Sequence, residues 1–349
     1  MLRNYRIYVL GAIALLASSC HSSTTPPPVV APPSFAVTPL AANKASYGVA
    51  AANVDTNLQD SWGLAVSAYG GFWIANRASG STTVYDSIGD KVGIYYAVNG
   101  PGGTKGDPTG VVQNTTQAFP VGVVASTWIY SELNGTLAAV QEGGKDSTHI
   151  VSSQYASSSS FTGLALVTGT SGPELYAPNV KNKSLDRFDQ SFNRIDQISE
   201  IHSGYTPFNS VLIDTQLFVT HAMALNGFVA IGPYNVAANG GYVDIYNING
   251  TWERTLISND SLDSPWGVAI APSNFGTYSG DLLVGNFGDG TIHAYNRSTG
   301  AFIGTLNQAS GAPITIPGLW ALVVYNGTLY YTAGPNAGTD GVFGTITVK

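Results

Sequence analysis

Six times along this chain a short apolar run returns in nearly the same form. The copies are SWGLAVS from Ser61, PTGVVQN from Pro108, FTGLALV from Phe161, PFNSVLI from Pro207, PWGVAIA from Pro265 and LWALVVY from Leu319. The fullest copy of the surrounding unit spans Ser264 to Asn296. In it, WGVAIAP reads as a strand buried on both faces and DLLVGN as a second. TIHAYN then alternates as a half-buried strand should. Asp289-Gly290, between the last two, is expected to supply the positive-φ residues of a tight hairpin turn. A meander of three or four strands cannot hide both faces by itself, so it must pack against copies of itself.

Each first run is followed by a second that ends in a small or polar residue: Asn76, Glu132, Asn179, His221, Asn286 and Gly334. A third strand follows a turn, as in TTVYD from Thr82, YVDIYN from Tyr242 and TIHAYN from Thr291. A fourth follows in five units, as in KVGIYYAV from Lys91 and RIDQIS from Arg194. Four short strands per unit, a period varying between 46 and 58 residues, and no helical periodicity predict an all-β fold, a six-bladed β-propeller. The sixth unit stops at Lys349 after its third strand. The last blade is therefore expected to be completed by an N-terminal strand, with SYGVAAANVD from Ser46 as the candidate.

The composition agrees: 41 Gly, 18 Pro and only 10% charged residues suit a turn-rich β domain. A net charge of −7 with 14 Lys plus Arg and no basic stripe excludes a nucleic-acid partner. The amino terminus reads as a processing signal over residues 1–20. Arg3 and Arg6 precede the apolar run Ile7 to Leu16, which is too short to span a bilayer, and Ala17-Ser18-Ser19 leads to Cys20, the single cysteine. This resembles the lipobox of bacterial lipoproteins, with Cys20 as the lipidated residue and Ala17 where a Leu is usual; an ordinary signal peptide is the other reading. Residues 21–40 are a Ser/Thr/Pro-rich tether, and 41–349 the propeller. The expectation is an exported lipoprotein at the outer membrane or cell surface, a monomer touching the membrane through its anchor only.

In a propeller, the starts of the innermost strands and the ends of the second strands share one face. Trp62, Thr109, Thr162, Phe208, Trp266 and Trp320 are thus expected at one channel mouth with Asn76, Glu132, Asn179, His221, Asn286 and Gly334. Indole rings can stack on a ligand and Asn side chains can both donate and accept, which suits a small molecule, a glycan or a protein partner. Glu132, Asn179 and Asn286, with Asn76, are oxygen ligands of the kind Ca²⁺ takes, and His221 could carry a proton beside such an ion. No cofactor is otherwise required, and no catalytic residue is identified. Structural readings stand beside these: strand-end Asn side chains that bond turn backbone, and Trp-Gly pairs that pack between blades. Nucleophile-elbow, zincin, P-loop and dinucleotide-binding motifs are absent. Two insertions, Asn99 to Gly106 and Ala222 to Gly241, are candidate specialised surface, the second overhanging the mouth.

The segments NLQDSWGLAV, FWIAN, DSPWGVAIAP, SGDLLVGNFGDG, TGAFIGTL, LYYTAGP and TDGVFG together resemble a family of exported bacterial proteins of propeller type whose biochemical role is not established. The likeness runs from about Asn53 to Gly344 and is most specific over residues 262–306. It implies a secreted propeller and carries no catalytic residues. More loosely, the chain is similar to NHL-repeat and gluconolactonase-type propellers. The function expected is extracytoplasmic binding or scaffolding; the alternative is a Ca²⁺-dependent lactonase-like hydrolase with its site at the mouth.

Overall fold

The computed structural model describes residues 32–141, 143, 147–223, 240–258 and 261–349. The signal sequence, Cys20 and the first part of the tether lie outside the described residues, as does most of the insertion Ala222 to Gly241. Residues 33–349 form one compact unit.

That unit is a ring of six four-stranded antiparallel sheets. From the axis outward, blade 1 is Ser61–Val66, Phe72–Asn76, Ser81–Tyr85 and Lys91–Ala97. Blade 2 is Pro108–Gln113, Trp128–Glu132, Leu137–Val140 and His149–Ser152; blade 3 is Ala165–Gly169, Gly172–Asn179, Ser184–Phe188 and Arg194–Ser199. Blade 4 is Tyr205–Ile213, Gln216–Met223, Tyr242–Asn247 and Trp252–Ser258; blade 5 is Pro265–Ile270, Leu282–Asn286, Ile292–Tyr295 and Phe302–Thr305. Blade 6 is Leu319–Tyr325, Thr328–Ala333 and Val342–Val348, with Phe35–Ala42 as its outer strand.

Each blade hides its two faces against its neighbours, as the repeat requires. The blade 1–2 interface holds Trp73 stacked on Trp128 at 4.1 Å with Val111 and Tyr130. Between blades 2 and 3 lie Ile129, Leu175 and Phe188; between 3 and 4, Tyr176, Leu217 and Tyr246. Phe218, Val284 and Tyr295 fill the blade 4–5 interface, and Leu283, Leu322 and Tyr331 the blade 5–6 interface. Phe72, Tyr330 and Phe343 fill the blade 6–1 interface, and the third-strand aromatics Tyr85, Phe188, Tyr246 and Tyr295 are all buried in these layers.

The ring closes at a different segment from the one the sequence suggests. Residues from Ser46 form two short 3-10 turns, Ala45–Tyr47 and Ala51–Asn53, with Gly48 at φ +81°. The closing strand is Phe35–Ala42, inside the stretch assigned to the tether, so the folded unit begins before Ala41. It pairs antiparallel with Val342–Val348, from Phe35 opposite Val348 to Ala42 opposite Val342. Pro39 cannot donate to a ladder. It sits on an outermost strand where the register shifts between Pro39 and Ala41, a place that tolerates proline. Phe35 is buried against Phe275 and Tyr278 of blade 5, so the strand also seals the blade 5–6 seam.

The hairpin at Asp289-Gly290 likewise differs in detail. Only Gly290 takes positive φ, +75°, while Asp289 works through its side chain, whose Oδ1 accepts the Thr291 N–H at 2.8 Å. A Cβ on Gly290 would lie 2.4 Å from the Ile316 carbonyl oxygen, so close approach fixes glycine there as well.

Phe35–Ala42 seals one blade edge and the blade 5–6 seam, so its loss should open the ring. A chain beginning at Pro33 is expected to unfold at the same temperature as one beginning at His21. A chain beginning at Asn43 is expected to melt many degrees lower, or not to fold, by circular dichroism.

Candidate functional site

The six inner strands run side by side around the axis, with the outward edge of each paired to its second strand. Glycine near the start of the strand lets neighbours approach. A Cβ on Gly63 would lie 2.8 Å from the Thr109 carbonyl oxygen, on Gly110 2.6 Å from the Leu164 nitrogen, and on Gly267 2.5 Å from the Trp320 carbonyl oxygen. Side chains then tie strand to strand. Thr109 Oγ1 donates to the Phe161 carbonyl at 2.8 Å, and Thr162 Oγ1 to the Phe208 carbonyl at 2.7 Å. Asn209 Nδ2 donates to the Trp266 carbonyl at 2.9 Å, and Thr332 Oγ1 to the Trp62 carbonyl at 2.6 Å.

The tryptophans do meet at the axis, but as a plug. Trp62 stacks on Trp320 at 3.6 Å, Trp266 stands edge-on to both, and Phe287 stacks on the far side of Trp320 at 4.1 Å. Phe208 completes the cluster. Trp62, Trp266 and Trp320 are all buried, and Trp266 Nε1 donates to the Thr162 carbonyl at 2.9 Å. They offer no exposed stacking platform, which corrects the reading of this end as an open mouth.

Beyond the plug lies an axial cavity of about 340 Å³ to which all six inner strands contribute. Its wall is largely apolar: Val66, Val112, Leu166, Val211, Leu212 and Val323, with Gln113 among them. Trp266 closes one end. Every inner strand is more exposed at its far end than at the tryptophan end, with Leu212 at 36%. The channel therefore opens where the inner strands finish, opposite the end that sequence reasoning chose.

The second-strand residues are also buried, and each serves its own blade. Asn76 accepts from Ser61 Oγ at 2.9 Å and donates to Thr83 Oγ1 at 2.9 Å. Asn179 Oδ1 accepts the Ser160 N–H at 3.1 Å, and its amide donates to Asp186 at 3.0 Å. Asn286 accepts the Asp263 N–H at 3.1 Å and donates to Thr291 Oγ1 at 3.1 Å. Glu132 Oε2 accepts the Asp107 N–H and the Asn134 amide, both at 3.0 Å. In blades 2, 3 and 5 the task is to pin the connection that enters the blade to the blade's own second strand, and in blade 1 to pin the first residue of the inner strand. Glu132, Asn179 and Asn286, expected as Ca²⁺ ligands, spend these oxygens inside separate blades. Burial pushes the Glu132 carboxyl up to about 7, against weaker opposing hydrogen bonds.

His221 occupies the same position in blade 4 with different company. Its Nδ1 is 2.7 Å from Glu200 Oε2 and its Nε2 is 3.3 Å from Asp244 Oδ2. His202 Nε2 lies 2.9 Å and 3.1 Å from the two Asp244 oxygens, and its ring stacks on Tyr242 at 3.7 Å. Burial alone would lower the His221 pKa, but the bonds to Asp244 and Glu200 prevail and raise it to about 9. Burial would raise that of Asp244, yet the hydrogen bond and charge of His221 hold it below the usual carboxylate range. Sequence reasoning singled out His221 and missed Glu200, His202 and Asp244. Aligning the third strands would have placed Asp244 beside it, since Asp186 and Thr83 hold the matching sites next to Asn179 and Asn76.

No family model matches the chain. In sequence it is similar to two uncharacterized proteins of Acanthamoeba polyphaga mimivirus. One is 29% identical over 323 residues, covering 85% of this chain and 76% of that protein; the other is 28% identical, covering 85% and 82%. In structure it is similar to virginiamycin B lyase from Staphylococcus aureus, with a TM-score of 0.55 and 10% identity over 90% of this chain and 100% of that one. A streptogramin B lyase structure gives a TM-score of 0.52 at 10% identity, over 90% and 98%. Likeness at that identity is one of propeller fold.

Three measurements check this site. Of the six tryptophans, Trp252 is 46% exposed and the other five are buried. A Trp252→Phe protein should therefore emit at short wavelength and resist acrylamide quenching, and Trp320→Ala should cost about 3–5 kcal/mol in urea unfolding. For Glu132, the folded-state pKa of about 7 stands above its ordinary 4.5. Its contribution to stability is thus complete below about 4.5 and is lost as pH rises through about 7. Urea unfolding should show about 3 kcal/mol lost across that window, and Glu132→Gln should remove this loss.

Proposed function

We propose that this chain is an exported, lipid-anchored binding module that takes the apolar end of a ligand into its axial channel. The observation that carries the reading is the channel itself: blind at the tryptophan plug, open at the inner-strand ends, and apolar in its wall. Its volume, about 340 Å³, suits a small molecule or the apolar side chain of a partner. Inner-strand edges line the same opening and supply backbone donors and acceptors for orientation. A hydrolase at the opposite face is less well supported, because the side chains it would use bond within their own blades. Export and anchoring rest on Arg3, Arg6, the apolar run and Cys20.

A thermal-shift screen of small apolar alcohols, phenols and short apolar peptides tests the channel, since a ligand of the native state must raise its melting temperature. Leu212→Glu, at the exposed rim, is expected to abolish the shift while leaving the free protein's melting unchanged. A shift that survives this substitution, or no shift with any probe, counts against the reading. For the anchor, membrane association and incorporation of labelled palmitate in a bacterial host should be lost with Cys20→Ala.

A further inference from the structure

The junction of blades 3 and 4 carries a group of side chains that the channel does not use. Glu200 and His202 come from the connection entering blade 4, His221 from the end of its second strand and Asp244 from its third. The ligand-capable atoms of Glu200, His202 and His221 lie within 4.8 Å of one another. Asp244 Oδ2 sits 2.9 Å from His202 Nε2 and 3.3 Å from His221 Nε2. Around a tetrahedral zinc ion with bonds of 2.0–2.1 Å, ligand atoms are about 3.3 Å apart. The Asp244 oxygen is therefore already near that spacing from each of the two imidazole nitrogens.

Blade 3 handles this position without imidazole. In blade 3 the matching carboxylate, Asp186, is neutralised by Arg194 at 3.0 Å and bonded by the Asn179 amide. In blade 4 the buried Asp244 and the nearly buried Glu200 pair with no lysine or arginine among the described residues, and two histidines stand in that place. Two carboxylates out of water require positive charge, and imidazoles supply it either by protonation or by holding a metal. The arrangement suits the second. His221 Nδ1 faces Glu200, the carboxylate contact that commonly orients a metal-bound imidazole, which leaves Nε2 directed at Asp244. Stacking on Tyr242 fixes the His202 ring, whose side chain keeps 13% exposure and gives an ion a way in.

We infer that His202, His221 and Asp244 bind a divalent transition-metal ion of the zinc class, with Glu200 orienting His221 as a positioning residue. The charge of one such ion balances the two carboxylates. The site is separate from the axial channel, so Leu212→Glu should leave metal binding unchanged.

The test uses the full chain stripped with EDTA. Calorimetry should show one equivalent of Zn²⁺ bound, and Co²⁺ should give visible d–d absorption that Zn²⁺ displaces. His202→Ala and Asp244→Asn should abolish both signals, while Glu200→Gln should weaken affinity about 10- to 100-fold. A buried variant that misfolds would lose the signal trivially. Cobalt-shifted imidazole proton resonances of His202 and His221 in the unsubstituted protein are therefore required as well. Absence of binding, unchanged binding in a folded His202→Ala protein, or cobalt shifts elsewhere than these rings overturns the inference.

Discussion

A propeller must satisfy the edge of every sheet that faces its axis. Each inner strand pairs on one side only, leaving backbone donors and acceptors pointed toward a narrow core. Here the strands are drawn close by glycine, and carbonyls near the axis are taken by side chains of the adjacent blade: Thr109, Thr162, Asn209 and Thr332. Gly63, Gly110 and Gly267 belong to the same solution, because a methyl group at any of them would strike the next strand's backbone. The aromatic plug follows from this. Once the starts of the strands are held together, Trp62, Trp266 and Trp320 have no other space to fill, and the channel is closed from that end.

Much of this was legible in the chain. The six runs from Ser61 to Leu319 mark six inner strands, and aligning them located the tryptophans correctly at one end of the axis. What alignment cannot show is whether a ring of residues faces water or itself. Trp62 lies against Trp320 of the neighbouring blade, and that contact depends on how far apart the strands stand, which is set by backbone approach at glycine. The closing strand was misplaced for another reason. Proline content marked residues 21–40 as tether, whereas an edge strand with a bulge needs only a few good pairing residues, and FAVT supplies them around Pro39. The strand-end asparagines were read as either ligands or turn residues, and hydrogen bonding makes them clamps on the entering connection or the first residue of the inner strand.

Repetition also makes departures visible. Asn76, Asn179 and Asn286 do closely related jobs with one side-chain type: Asn179 and Asn286 take a backbone N–H from the entering connection, Asn76 takes the hydroxyl of Ser61 at the start of its own inner strand, and each gives a hydrogen to the third strand or its turn. Glu132 keeps the first half of that job but carries a carboxyl that burial holds toward its protonated form. Blade 4 departs furthest, replacing amide by imidazole and surrounding it with two carboxylates and a second histidine. A scaffold with sixfold pseudo-symmetry has no structural need for chemistry at one blade, which makes the blade 3–4 junction the most individual part of the ring.

The pairing of Phe35–Ala42 with Val342–Val348 has a kinetic consequence. Asn43 and Asp340, which hydrogen-bond at 2.8 Å just beyond that pairing, are 297 residues apart in sequence. Contacts within a blade are local and can form as the chain is made; this one must wait for the whole of it. Until then the partly made protein is an open arc with a bare strand edge and an uncovered aromatic seam at blade 5, the form most prone to associate with its own kind. Joining the last blade is therefore the step at which a sticky arc becomes a closed ring.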